Sequence, residues 1–158
     1  MMTTTTMTIA TAMSDSKNNC ARNYNCEREL VCTLRTLGYK TPEEMRMYLS
    51  NFFAEACCLD WHKPSKLTAY AVKCAVTCDR TMLTKVYAKY GKNYLAADVM
   101  WFIMSHIALH HKALHRELVR DALCIHAGCY PTYAAGNTAR VLAVALDMVA
   151  SMETYLTW

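Results

Sequence analysis

A chain of 158 residues has room for one ordinary domain with a substantial hydrophobic core. An apolar content of 54%, with only 4 Gly and 3 Pro, favours long helices over a meander of strands. The formal charge of +4 comes from scattered basic residues with no block of five or more, which leaves nucleic-acid binding without support.

Residues 1–19 read as a disordered tail of Thr, Ser, Asp and Asn, ahead of a single helical domain over 20–158. Met1 to Lys17 has no basic start and no long apolar core, so no secretory signal is expected and reduced thiols are the default. The nine cysteines contain no Cys-x-x-Cys and no zinc spacing. Most read as small core residues, and an exposed one can link two chains into a homodimer.

A first helix is predicted from about Asn25 to Leu37, with Leu30, Val31, Leu34 and Leu37 on one face and Gly38 as its stop. The second has the strongest start. Thr41 caps it, Pro42 fits the first helical position, and Glu44 completes a Thr-x-x-Glu capping box. Met45, Leu49, Phe52, Phe53 and Ala56 form its apolar face, and Asp60 to Pro64 breaks it. A third helix begins at Ser65, and Asp79 caps a fourth that carries Met82, Leu83, Val86, Tyr87 and Tyr90. No Gly or Pro separates these two, so one bent helix fits equally well.

The stretch Val99 to Leu109 is interrupted only by Ser105 and His106. A helix apolar on every side must be covered on every side, and this one falls short of the ~20 apolar residues that cross a bilayer. It is therefore expected to be a buried central rod, starting near Asn93 after a stop at Gly91 and emerging into solvent near His110. A further helix is predicted from His115 to about Ala127. Gly128, Pro131 and Gly136 then mark a loop, and a last helix runs from Thr138 to about Leu156. Its Arg140, Asp147 and Glu153 make it a poor membrane anchor. The expected fold class is all-α, with about seven or eight helices around the buried one.

Two sets of residues suggest chemistry. His106, His110, His111 and His115 contain two i, i+4 pairs, a spacing that can share a metal on one helix face. No His-Glu-x-x-His completes a site, and a polar helix end accounts for the histidines as well. A helical metal-binding protein is the alternative reading this cluster leaves open. Phe52, Phe53, Met82, Tyr87 and Tyr94 can line a groove for a partner helix, although simple core packing explains the same pattern. No Gly-x-Gly-x-x-Gly, phosphate loop or Gly-x-Ser-x-Gly occurs, so no enzyme and no cofactor are expected.

The first helix reads Glu27-Arg28-Glu29-Leu30-Val31, then Leu34, then Gly38-Tyr39. This resembles the first helix of the Bcl family of apoptosis regulators, which carries an Arg-Glu-Leu-Val run and often closes with Gly-Tyr. Members of that family wrap amphipathic helices around one central apolar helix. Their first homology motif, Asn-Trp-Gly-Arg, opens the central helix. Here Asn93 matches, Tyr94 replaces Trp, and Leu95 and Ala96 stand where Gly and Arg are usual. That Arg normally pairs with the Asp of a bound death-motif helix, and Lys89 or Lys92 is a candidate replacement. Asn137-Thr138-Ala139-Arg140 keeps both Asn and Arg but leaves no chain for the helices that should follow, so topology favours Asn93.

The Gly-Gly-Trp of the second homology motif is absent, and no clear internal Leu-x-x-x-Gly-Asp occurs. The likeness covers the helix pattern over about residues 25–130, and its divergence and missing anchor are most similar to viral members. The resemblance implies an apoptosis inhibitor in the host-cell cytoplasm, reaching mitochondria through its partners. It would sequester the amphipathic helix of pro-apoptotic proteins. The implied groove takes in Phe52, Phe53, Met82, Val86, Tyr87, Lys89, Lys92, Asn93, Tyr94, Ala96, Val99 and Ile103.

Overall fold

The computed structural model describes residues 25–57, 66–91, 95–127 and 134–151. The expected tail over 1–19 lies outside them. The described residues form seven helices and no strand: α1 (Cys26–Thr36), α2 (Pro42–Cys57), α3 (Lys66–Thr77), α4 (Thr81–Tyr90), α5 (Ala96–His110), α6 (Lys112–His126) and α7 (Ala134–Ser151). None of them is long and apolar enough to cross a membrane.

Helix α1 is bounded by local chemistry. The Asn25 side chain accepts a hydrogen bond from the Arg28 amide at 3.0 Å. At the other end the Gly38 amide donates to the Arg35 carbonyl (2.9 Å) and the Tyr39 amide to the Leu34 carbonyl (3.0 Å), the paired closure of a Schellman motif. Gly38 has φ +104°, and a Cβ there would meet nothing within 4 Å, so the backbone angle and not space demands glycine.

The capping box of α2 is formed as expected. The Glu44 amide donates to Thr41 Oγ1 at 3.2 Å, while Glu44 Oε1 accepts from the Thr41 amide at 3.0 Å and the Lys40 amide at 2.9 Å. Those backbone donors hold the Glu44 carboxyl below its ordinary range. Thr41→Ala is expected to cost about 1 kcal/mol in a denaturant titration. The Glu44 contribution has a defined sign with pH. Because the folded pKa is depressed, it is fully present above the ordinary value of 4.5 and is lost as pH falls through the folded value. Acid titration of the parent against Glu44→Gln checks this. A parent whose stability falls no more steeply than the variant's below pH 4.5 would contradict it.

α3 and α4 are separate helices. The break is at Cys78, whose φ of +46° is left-handed and ends α3 without glycine or proline. Asp79 Oδ1 then accepts from the Thr81 amide at 2.9 Å, one position before the residue that occupies the cap, Arg80. Gly91, at φ +95°, closes α4 by donating to the Tyr87 carbonyl at 2.8 Å.

Three starts differ from expectation. α5 begins at Ala96 with Leu95 in the cap position, and Asn93, the expected start, lies outside the described residues. α6 begins at Lys112 and not at His115, because His111 alone turns the chain: its amide still bonds the Ile107 carbonyl (2.8 Å) while its own carbonyl accepts from His115 (2.9 Å). α7 begins at Ala134 and runs through Gly136, which the sequence marks as loop. The cost of a helical glycine, about 1 kcal/mol, is offset by a buried anchor at the next residue, Asn137.

α5 is the central element. It is touched by α1, α3, α4, α6 and α7, while α2 lies against α7. The unbroken run from Val99 to Met104, with Ile107, is buried, and Leu109, His110 and His111 are exposed, so the rod surfaces where expected. A ladder of rings braces α2: Tyr39–Tyr48 at 4.6 Å, Tyr48–Phe52 at 5.7 Å and Phe52–Phe53 at 5.1 Å between centroids. On the far side Val72 and Ala75 of α3 pack on Ala122 of α6, with Leu118 alongside. Of the described cysteines, Cys26 and Cys74 are buried, Cys32, Cys78 and Cys124 are half-buried, and none of these five is in a disulfide.

Candidate functional site

The predicted groove residues divide into three groups. Phe52, Phe53, Val86, Val99 and Ile103 are buried in the main core. Met82, Tyr87 and Ala96 are half-buried and pack against that core from outside. Lys89 is exposed on α4, and Lys92, Asn93 and Tyr94 lie outside the described residues. The apolar residues predicted for a groove are thus mostly covered, and the half-buried ones form a rim along α4 and the start of α5.

That rim contains a charged cluster that sequence reading missed. Asp98, in the first turn of α5, accepts a hydrogen bond on Oδ2 from the Tyr87 hydroxyl. Its Oδ1 has no hydrogen bond and lies 3.6 Å from Nη2 of Arg80. The Arg80 guanidinium also sits 4.9 Å above the Trp101 ring centroid and 5.4 Å from that of Phe102. Burial, with help from the Asp98 hydrogen bond, pushes the Tyr87 hydroxyl well above its ordinary range, so it remains a donor throughout neutral pH. Arg80 is 52% exposed while Asp98 is 14% exposed, so the cation faces outward from a mostly covered carboxylate. Arg80 was not legible as a groove residue because it stands beside the expected cap Asp79, far in sequence from Asp98.

The rival motif at Asn137 is occupied internally. Asn137 and Asp121 are both 5% exposed, and the Asn137 amide donates to Asp121 Oδ2 at 2.5 Å. Arg140 donates to Asn137 Oδ1 at 3.0 Å and to Glu117 at 2.7 Å. This cluster ties the first turns of α7 to α6. Asp121 Oδ1 is buried without a hydrogen bond.

The histidine cluster is split. His106 stacks near His110 and His111, with ring centroids at 4.6 and 5.8 Å. Burial first, and then the neighbouring His110, lower the His106 pKa. His115 instead places Nε2 3.5 Å from the Cys78 sulfur. Among the described residues no three His, Cys, Asp or Glu side chains are placed to hold a metal ion. The second pair read from the sequence, His111 and His115, therefore does not extend the first.

No family model, curated protein or solved structure matches this chain.

Proposed function

We propose that the chain is a binding module that sequesters an amphipathic death-motif helix along the rim of α4 and the start of α5, in the manner of an anti-apoptotic Bcl-type protein. The observation that carries this reading is the Val99–Met104 run of α5, buried at every position and wrapped by amphipathic helices. The Arg28-Glu29-Leu30-Val31 run of α1, closed by Gly38-Tyr39, supports the same family. Met82, Tyr87 and Ala96 supply a half-buried apolar rim, and Arg80 supplies an outward cation for the acidic residue of the ligand.

Phe53, Val99 and Ile103 are covered in the free protein, so the ligand seats its apolar i, i+3 or i+4, and i+7 side chains on the half-buried rim of Met82, Tyr87 and Ala96. A ligand held in this way keeps the pro-apoptotic helix from its target in the host-cell cytoplasm.

Calorimetry against a panel of death-motif peptides tests the reading. Met82→Glu on the rim is expected to abolish or strongly weaken binding at any salt concentration. Arg80→Glu, Lys89→Glu and Lys92→Glu are expected to weaken it by less than about tenfold each, and more at low salt than at high salt, as exposed charge pairs are screened. Arg80→Gln separates loss of the cation from repulsion by Asp98. A folded protein that binds no peptide of the panel overturns the proposal.

A further inference from the structure

Cys78 occupies the joint between α3 and α4, at φ +46°. From there its sulfur lies 3.5 Å from Nε2 of His115 on α6 and 3.5 Å from the carbonyl oxygen of Met104 on α5. The residue as a whole is half-buried and packs against the edge of the core, whereas Cys26 and Cys74 are buried within it. His115 is half-buried too, and burial holds its pKa below the ordinary value of 6.5. The imidazole is therefore the free base at neutral pH. In the tautomer with its hydrogen on Nδ1, Nε2 is positioned to accept the thiol proton.

The same His115 lines an open cavity of about 550 Å³ along the outer face of α6, with Arg116, Val119, Arg120, Leu123 and Cys124. Arg116 and Arg120 are exposed, and Leu123 is 54% exposed. Two guanidinium groups thus border an apolar surface that also carries Cys124 and that meets the Cys78 thiol only through His115. The volume suits a small organic ligand, and the charge suits one that carries carboxylates.

We propose that Cys78 is a site of reversible thiol modification by small anionic disulfides, with His115 as its base and the α6 cavity as the seat of their carboxylates. As the Cys78 sulfur attacks, its proton passes to Nε2 of His115. A new S–S bond forms between Cys78 and the near sulfur of the reagent, and the reagent's own S–S bond breaks. The departing sulfur takes the bonding pair and then the proton from His115, leaving as a thiol. Cys78 is oxidised, the departing half is reduced, and the exchange needs no other oxidant.

Oxidised glutathione is the probe, added to the full native chain at neutral pH, with intact-mass and peptide analysis of acid-quenched samples. The first adduct is expected on Cys78, about tenfold or more faster than on Cys32 or Cys124, and reversed by a dithiol. Unfolding in denaturant should erase that preference. His115→Gln should slow the Cys78 reaction by about tenfold to a hundredfold, the lower range for general-base help. Arg116→Gln with Arg120→Gln should slow the reaction with oxidised glutathione but leave that with neutral hydroxyethyl disulfide unchanged. A first adduct on another cysteine, or Cys78 reacting no faster in the native chain than in the unfolded one, overturns the site. Both of those readouts use the parent protein and stand even if a variant misfolds. Equal slowing of both reagents by the arginine changes overturns the role of the cavity.

Discussion

Phe102→Ala is expected to lower stability by about 3–5 kcal/mol, the range for deleting a large aromatic ring from a packed core. Phe102 is 2% exposed and sits in the middle of the helix that five others touch. Its ring meets Trp101 edge to face at 5.3 Å, and the Arg80 guanidinium lies 5.4 Å from it. Deleting it removes the transfer energy of the ring and leaves a void in the packed core that its neighbours close only in part. A shift in the denaturation midpoint at constant slope measures the effect. A loss below about 1 kcal/mol would mean that the helix is not the centre of the fold. Leu109→Ala, at the point where the same helix surfaces, should cost far less and serves as the control.

The second large effect concerns the tie between α6 and α7. Asn137→Ala is expected to cost about 3 kcal/mol, because it removes the one hydrogen bond that a 5% exposed carboxyl group, with its other oxygen unbonded, accepts among the described residues. It also deprives Arg140 of one acceptor. Asp121→Asn should behave differently. The amide keeps an oxygen for Asn137 and removes a buried acidic group, so the variant should stay within about 1 kcal/mol of the parent or exceed it. Combining the two changes should recover part of the loss, with a coupling energy of about 1–2 kcal/mol from a double-mutant cycle. Additive effects would show that the two side chains do not act on each other. A cost for Asp121→Asn larger than for Asn137→Ala would mean that the carboxyl group serves a partner other than Asn137.

Helix boundaries divide according to how local their causes are. Asn25, Gly38, Thr41 with Glu44, and Gly91 act within four residues of themselves, and each is where the sequence placed it. The starts of α6 and α7 were misplaced for the opposite reason. His111 turns the chain with an ordinary side chain and no breaker beside it, so the pattern gave no sign of the joint. Gly136 carries a local signal for loop, which a hydrogen bond from Asn137 to another helix overrides. The break at Cys78 likewise has no glycine or proline to announce it.

The candidate site was legible only in its apolar part. Phe52, Phe53, Met82, Val86 and Tyr87 fall on apolar stripes, and the structure gathers them, with Val99 and Ile103, around one core. The spacing gives the side of a helix that turns inward, but whether a neighbour covers it is settled elsewhere. Phe52 and Phe53 end buried among rings from Tyr39 and Tyr48, while Met82 and Tyr87 keep part of their surface in water.

By itself, the sequence determined the all-helical class, the caps of α1 and α2, and the central place of the Val99–Met104 run. Each follows from composition or from contacts within one helical turn, and a segment with no polar face has only the interior to occupy. The tertiary structure alone decided which polar groups meet. Tyr87 and Asp98 are 11 residues apart, Asp121 and Asn137 are 16 apart, and Cys78 and His115 are 37 apart. No periodicity encodes such pairs. They depend on the way α4, α6 and α7 dock on their neighbours, and docking is set by the summed packing of many apolar side chains, whose small shifts of helix position decide which polar atoms come within bonding distance.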